Sequence, residues 1–145
     1  MMKPRLLIFI VLVAHWVVAI WHLFLAAQIL PAPNDQVSWV AIAFITLGHA
    51  VVAFVVWKLS ERVTGWVSLV FFLAALGADL YEHFLHASLN NIFMVTPGDW
   101  TTVFRVSVFV RLGLEIAGCA LGMRLASGGA RNSRRTSIAG HGAVS

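Results

Sequence analysis

The sequence predicts an all-α integral membrane protein: a four-transmembrane-helix up-down bundle with a disordered cytoplasmic C-terminal tail. Three observations predict it. The 145 residues are 60% hydrophobic and only 11% charged, where a soluble domain carries roughly 25% charge. The apolar residues gather into four stretches, each long enough to cross a hydrocarbon layer of roughly 30 Å at about 1.5 Å per helical residue. The lysines and arginines outside these stretches fall on alternate connections only. Mean hydropathy is +0.88.

Residues 1–126 form the predicted four-helix transmembrane domain, with spans at about 6–30, 37–57, 65–87 and 102–123. Lys3 and Arg5 precede the first span, and Pro31, Pro33 and Asn34 end it. A cleaved signal peptide is the competing reading. Its apolar region would run to roughly 7–15 residues, and this one is longer and holds His15, His22, Trp16 and Trp21. The second and third spans are joined by a short polar turn around Lys58, Ser60, Glu61 and Arg62. Between the third and fourth lies a segment with Asn90, Asn91, Pro97, Gly98 and Asp99, all turn formers. Within it Ile92, Phe93, Met94 and Val95 are apolar enough to dip back toward the bilayer. Asp99 or Thr101 is the expected N-cap of the fourth span. Residues 127–145 are rich in Gly, Ser, Ala and Arg without an aromatic residue, which predicts a disordered basic tail.

Orientation follows from charge. Lys3, Arg5, Lys58, Arg62, Arg124, Arg131, Arg134 and Arg135 all fall on one side, and the opposite loops carry no Lys or Arg. The positive-inside bias puts both termini in the cytoplasm, and a bacterial inner (plasma) membrane is the expected location. Trp39 and Trp100 then mark the outer edge and Trp57 and Trp66 the inner edge. The net charge of +4 is thus a topology signal and not a nucleic-acid footprint; the expected partner is the lipid bilayer.

The third span carries Asp79, Glu82, His83 and His86, spaced i, i+3, i+4 and i+7. In a regular α-helix these share one face. Each costs several kcal/mol in hydrocarbon unless paired, hydrated or metal-bound. Depth along the spans sorts the buried polar residues into two layers. His15, His49 and Glu115 lie about 12–13 Å from the cytoplasmic edge. Asp79, His22, Glu82, His83 and His86 lie farther out, from about 20 Å onward, with Arg105 and Arg111 nearby as substrate or charge partners.

Three chemistries suit these layers. The favoured one is a transition-metal site, Fe, Cu, Zn or Mn, held by His22, Asp79, Glu82, His83 and His86, possessing the mixed imidazole and carboxylate set such ions take. Glu-x-x-His and His-Glu-x-x-His are both absent. The second is haem b between His15 and His49, a small b-type cytochrome subunit; C-x-x-C-H is absent, so covalent attachment is excluded. The third is a proton or solute path through the histidines and acids, or an accessory subunit of a larger membrane complex. Against all three stands plain pairing, Arg111 with Glu115 and Asp79 with His83, each one helical turn apart. No residue is assigned a catalytic role. Gly118 and Gly122 form a small-xxx-small pair, which predicts close packing on a neighbouring helix of this chain or of a second subunit, a homo-oligomer included. Cys119, the only cysteine, reads as a small core residue.

Overall fold

A computed structural model describes residues 3–29, 38–88 and 90–141, and side chains as far as Gly128. The elements are α1 (Pro4–Ile29), α2 (Trp39–Lys58), α3 (Glu61–Leu80) continued by a π-helical turn (Tyr81–Leu85), and α4 (Thr101–His141). Among the described residues, four helical segments, α3 counted with its π turn, are long and apolar enough to cross a membrane.

Local chemistry sets the ends. Pro4 opens α1, where the missing N–H removes no helical bond. The Ser38 hydroxyl accepts from Ala41 N–H at the start of α2, and the Ser60 hydroxyl accepts from Val63 N–H at the start of α3. The turn formers Pro31, Pro33 and Asn34 expected to close the first helix lie outside the described residues. The tail expected to be disordered from Ser127 departs from the structure: α4 continues to His141. Composition bears on whether a segment buries a core, not on whether its backbone coils. Ala and Arg are good helix formers, and no proline interrupts the run. At Ser127 the hydroxyl folds back onto the carbonyls of Met123 and Arg124.

Contacts between helices run in opposite numerical order. Phe9 meets Trp57 and Trp16 bonds Thr46. His15 meets Glu115 and His22 meets Ser107. Between α3 and α4, Phe72 lies at Gly118 and Asp79 at Arg111. This last pair of helices makes the closest approach. A Cβ on Gly122 would stand 2.8 Å from Leu69 N and 3.0 Å from Gly65 O, so only glycine admits the two backbones at this separation. The Gly118/Gly122 face, expected to meet this chain or another subunit, is occupied by α3.

Two apolar clusters close the interior at either end. One centres on Ile8, Leu12, Val56, Phe72 and Leu125. The other centres on Leu25, Ile92, Val95, Phe104 and Val108. The apolar loop segment contributes to the second: Ile92 and Val95 are buried, and Phe93 and Met94 point out. His15 lies between the clusters, about 10 Å along α1 from Ile8 and about 15 Å from Leu25.

Candidate functional site

The inner layer assembles into one hydrogen-bonded chain. His49 Nδ1–H donates to the carbonyl of Ile45 in its own helix, 2.7 Å away. A carbonyl only accepts, so this nitrogen carries the proton, and in the neutral ring His49 Nε2 is left as an acceptor. His15 Nδ1–H then donates to His49 Nε2 at 2.8 Å, with the two rings stacked at a centroid distance of 5.1 Å. His15 Nε2 in turn stands 3.0 Å from Glu115 Oε1. With His15 Nδ1 already protonated, a neutral His15 has only a lone pair at Nε2. The contact therefore requires one more proton, held either by His15 as imidazolium or by Glu115 as carboxylic acid. Both assignments give the His15–Glu115 pair zero net charge. The geometry thus defines a single proton that two buried groups share.

A separate ion pair joins α3 to α4. Asp79 Oδ1 accepts from the Arg111 guanidinium. The hydrogen-bonded series Ile45, His49, His15, Glu115 draws on α1, α2 and α4, and the Asp79–Arg111 pair ties α3 to α4. His15 and Glu115 are 3% and 0% exposed, so neither owes its charge state to solvent. Of the expected pairings within one helix, neither Arg111 with Glu115 nor Asp79 with His83 forms; Arg111 reaches across to Asp79 instead. Three atoms next to the chain are buried without a partner: Asp79 Oδ2, Glu115 Oε2 and Arg111 Nε.

The outer layer comes apart. His83 Nδ1–H donates to the Asn90 carbonyl at 2.9 Å. His22 Nδ1–H donates to Ser107 Oγ at 2.8 Å, and the Ser107 hydroxyl in turn donates to the Phe104 carbonyl. The two rings meet edge to face at 4.8 Å. Glu82 and His86 pair instead with each other at 3.4 Å, and both are 47% exposed. Tyr81 stacks on His86. Arg105 Nε–H donates to the Ile92 carbonyl. The expectation that Asp79, Glu82, His83 and His86 share one face is therefore corrected. The π turn is the reason. Its wider i→i+5 bonding, closed by His86 N–H to Tyr81 O, breaks the α-helical phase, and at His86 the backbone becomes extended. Asp79 and His83 stay inside, whereas Glu82 and His86 turn out.

Among the described residues, no three His, Cys, Asp or Glu side chains are grouped to hold a metal ion. The five expected ligands split: His22 meets His83 inside, Glu82 meets His86 at the surface, and Asp79 turns to Arg111. His15 and His49, expected to flank a haem, bond directly to each other and leave no slot between their rings. No protein-family model, curated protein or solved structure matches the chain. The site is read from its own chemistry alone.

Beside the network lies a half-open cleft of about 240 Å³, bounded by α1, α2, α3 and Arg111 of α4. His15, His49, Asp79 and Arg111 line it, together with Phe44, Gly48, Phe71 and alanines of α3. Sequence reasoning found the network's members but not this cleft. The signal was the run of small residues Ala74, Ala75, Gly77 and Ala78, which leaves space opposite Gly48.

Proposed function

We propose that the protein is an integral membrane protein, an up-down bundle of four spans with both termini cytoplasmic, that holds and exchanges a proton at the His49–His15–Glu115 network. The observation that carries this reading is the tautomer argument. The Ile45 carbonyl fixes the protons of both imidazoles, and the His15–Glu115 contact then needs one further, shared proton. Groups arranged in series by hydrogen bonds pass a proton by small displacements within each bond, and chains of His and acid residues inside membranes serve as proton relays. The apolar clusters at both ends separate the network from either water phase. Exchange therefore proceeds sideways, through the cleft, and the reading is a proton-exchange site and not a continuous channel. The apolar helices, the one-sided basic residues and the antiparallel order of contacts support the membrane placement.

Infrared difference spectroscopy of the protein in lipid, taken across a pH titration, tests the reading. The expected result is a carboxylic-acid C=O band that titrates together with an imidazole band, and that is lost in Glu115→Gln. Identical pH-difference spectra for the wild type and Glu115→Gln would overturn it.

A further inference from the structure

We infer that the seam between α1 and α2 binds one anionic phospholipid of the cytoplasmic leaflet, its phosphate on Lys3 and Arg5 and one acyl chain along the two helices. The basic end is a hollow of about 350 Å³ lined by Lys3, Arg5, Leu6, Phe9, Val56 and Trp57. A second hollow of about 210 Å³ adjoins it at Phe9 and continues along the seam past Leu12, Val13, Ala50 and Ala53. The two alanines leave room there, since neither side chain reaches past Cβ. Trp16 and Thr46 close the far end, where the indole N–H donates across the seam to the Thr46 hydroxyl at 3.1 Å. From Leu6 to Trp16 the groove rises about 15 Å along α1. That is half of a hydrocarbon layer of roughly 30 Å. The groove thus matches one leaflet, with its charged end at the interface and its stop near the midplane.

Charge selects the head group. Lys3 is exposed and makes no ion pair among the described residues. Arg5 has one acidic neighbour: its Nε stands 3.9 Å from Glu61 Oε1, beyond hydrogen-bond reach, and Glu61 is 60% exposed. Nε itself is enclosed, but the terminal guanidinium nitrogens are neither enclosed nor hydrogen-bonded among the described residues, and the side chain is 35% exposed. Two cations against one loosely placed carboxylate leave an excess of positive charge at the mouth. A phosphate diester answers it, bringing one negative charge and oxygens that accept from both lysine and arginine. A zwitterionic head group carries its own ammonium and leaves the excess in place. A wholly apolar ligand leaves both cations unmet. Basic pockets between spanning helices on the cytoplasmic side are where anionic head groups bind. Phe9 and Trp57, with ring centroids 6.2 Å apart, wall the junction between head group and chain, the depth at which an indole is at home. The inference goes beyond the proton-exchange reading. It rests on the membrane placement of the helices and not on the network.

The test is native mass spectrometry of the full chain released from detergent micelles, titrated with phosphatidylglycerol or with phosphatidylcholine of the same acyl chains. One phosphatidylglycerol retained per chain is expected, about tenfold or more tighter than phosphatidylcholine. Lys3→Gln and Arg5→Gln should each weaken phosphatidylglycerol binding about fivefold, equivalent to about 1 kcal/mol per basic residue, and leave phosphatidylcholine unchanged. The double variant should bind the two lipids alike. Lys58→Gln removes a positive charge from the same end of the bundle, but Lys58 does not line the hollow, so binding should change less than about twofold. Ala50→Phe fills the second hollow and should weaken phosphatidylglycerol binding while the anionic preference survives. If Ala50→Phe does not fold, the charge variants decide, since Lys3 lies outside α1 and Arg5 in its first turn. Equal affinity for the two lipids, no effect of Lys3→Gln and Arg5→Gln, or a loss in Lys58→Gln as large as in Arg5→Gln would each overturn the inference. The two readings fail separately. A lipid preference with no titrating carboxyl band removes the relay alone, and a titrating band with no lipid preference removes the lipid site alone.

Discussion

Replacing Glu115 separates packing from proton holding, because two substitutions of similar size differ only in polarity. Glutamine keeps a polar group opposite His15. Its amide N–H donates to His15 Nε2, which then stays a neutral acceptor. That partner is met, and the shared proton is gone. Leucine removes the contact. His15 Nε2 is then buried without a partner, and an orphaned group costs about 1–3 kcal/mol. The loss is about 1–3 kcal/mol for Glu115→Leu and under about 1 kcal/mol for Glu115→Gln. Interhelical hydrogen bonds in membrane proteins average about 0.6 kcal/mol by double-mutant cycles, which sets the floor for the difference. His15 and Glu115 are almost wholly enclosed, at 3% and 0% exposure, so the orphaning cost decides. Unfolding in mixed micelles with a denaturing detergent, followed by circular dichroism, reads the comparison. Equal losses for the two variants would refute the reasoning, as would a leucine variant as stable as the wild type.

Asp79→Asn leaves the Arg111 charge without its counter-ion and should destabilise by about 3–5 kcal/mol, while the double variant Asp79→Asn/Arg111→Gln recovers most of that loss; detergent unfolding of the three variants checks it. Gly122→Val forces Cβ against the Leu69 backbone and should separate α3 from α4, lowering the unfolding midpoint more than Gly113→Ala, where a Cβ meets nothing. Reporter fusions at Pro33 and Asn91 should read as external and one at Ser60 as cytoplasmic; a cytoplasmic signal at Asn91 contradicts the four-span arrangement. His86→Ala should leave the infrared carboxyl band and the fold unchanged, since the half-exposed His86 ring pairs with Glu82 and stacks on Tyr81, away from the network; loss of the band in that variant would tie the outer pair to the relay.

The helices were legible because apolar length alone dictates them: the ends of the first three fell within a few residues of Pro4–Ile29, Trp39–Lys58 and Glu61–Leu85, and the fourth began at Thr101 but runs on to His141, past the expected end near residue 123. The inner layer was also legible. Rise per residue put His15, His49 and Glu115 at one depth, and residues at one depth in a narrow bundle meet. The outer stripe misled because helical phase assumes an unbroken α-helix. One π turn after Leu80 was enough to send Glu82 and His86 outward while His83 stayed in, and hydropathy carries no mark of such a turn. The Asp79–Arg111 pair escaped for a different reason. Spacing within one helix suggested Arg111 with Glu115 and Asp79 with His83, and only the close α3–α4 approach at Gly65 and Gly122 brings the cross-helix partner nearer. That approach was half visible, as the Gly118/Gly122 pair, but its partner helix was not.

Nitrogen-15 NMR of the histidine rings, in protein labelled at imidazole and held in lipid, addresses the shared proton most directly. The account requires His49 as a neutral Nδ1–H tautomer with an unprotonated Nε2. For His15 it requires a protonated Nδ1 and an Nε2 whose shift is intermediate between bare and protonated, becoming fully bare in Glu115→Gln. A His15 that carries its only proton on Nε2, or an Nε2 shift indifferent to Glu115→Gln, would contradict it.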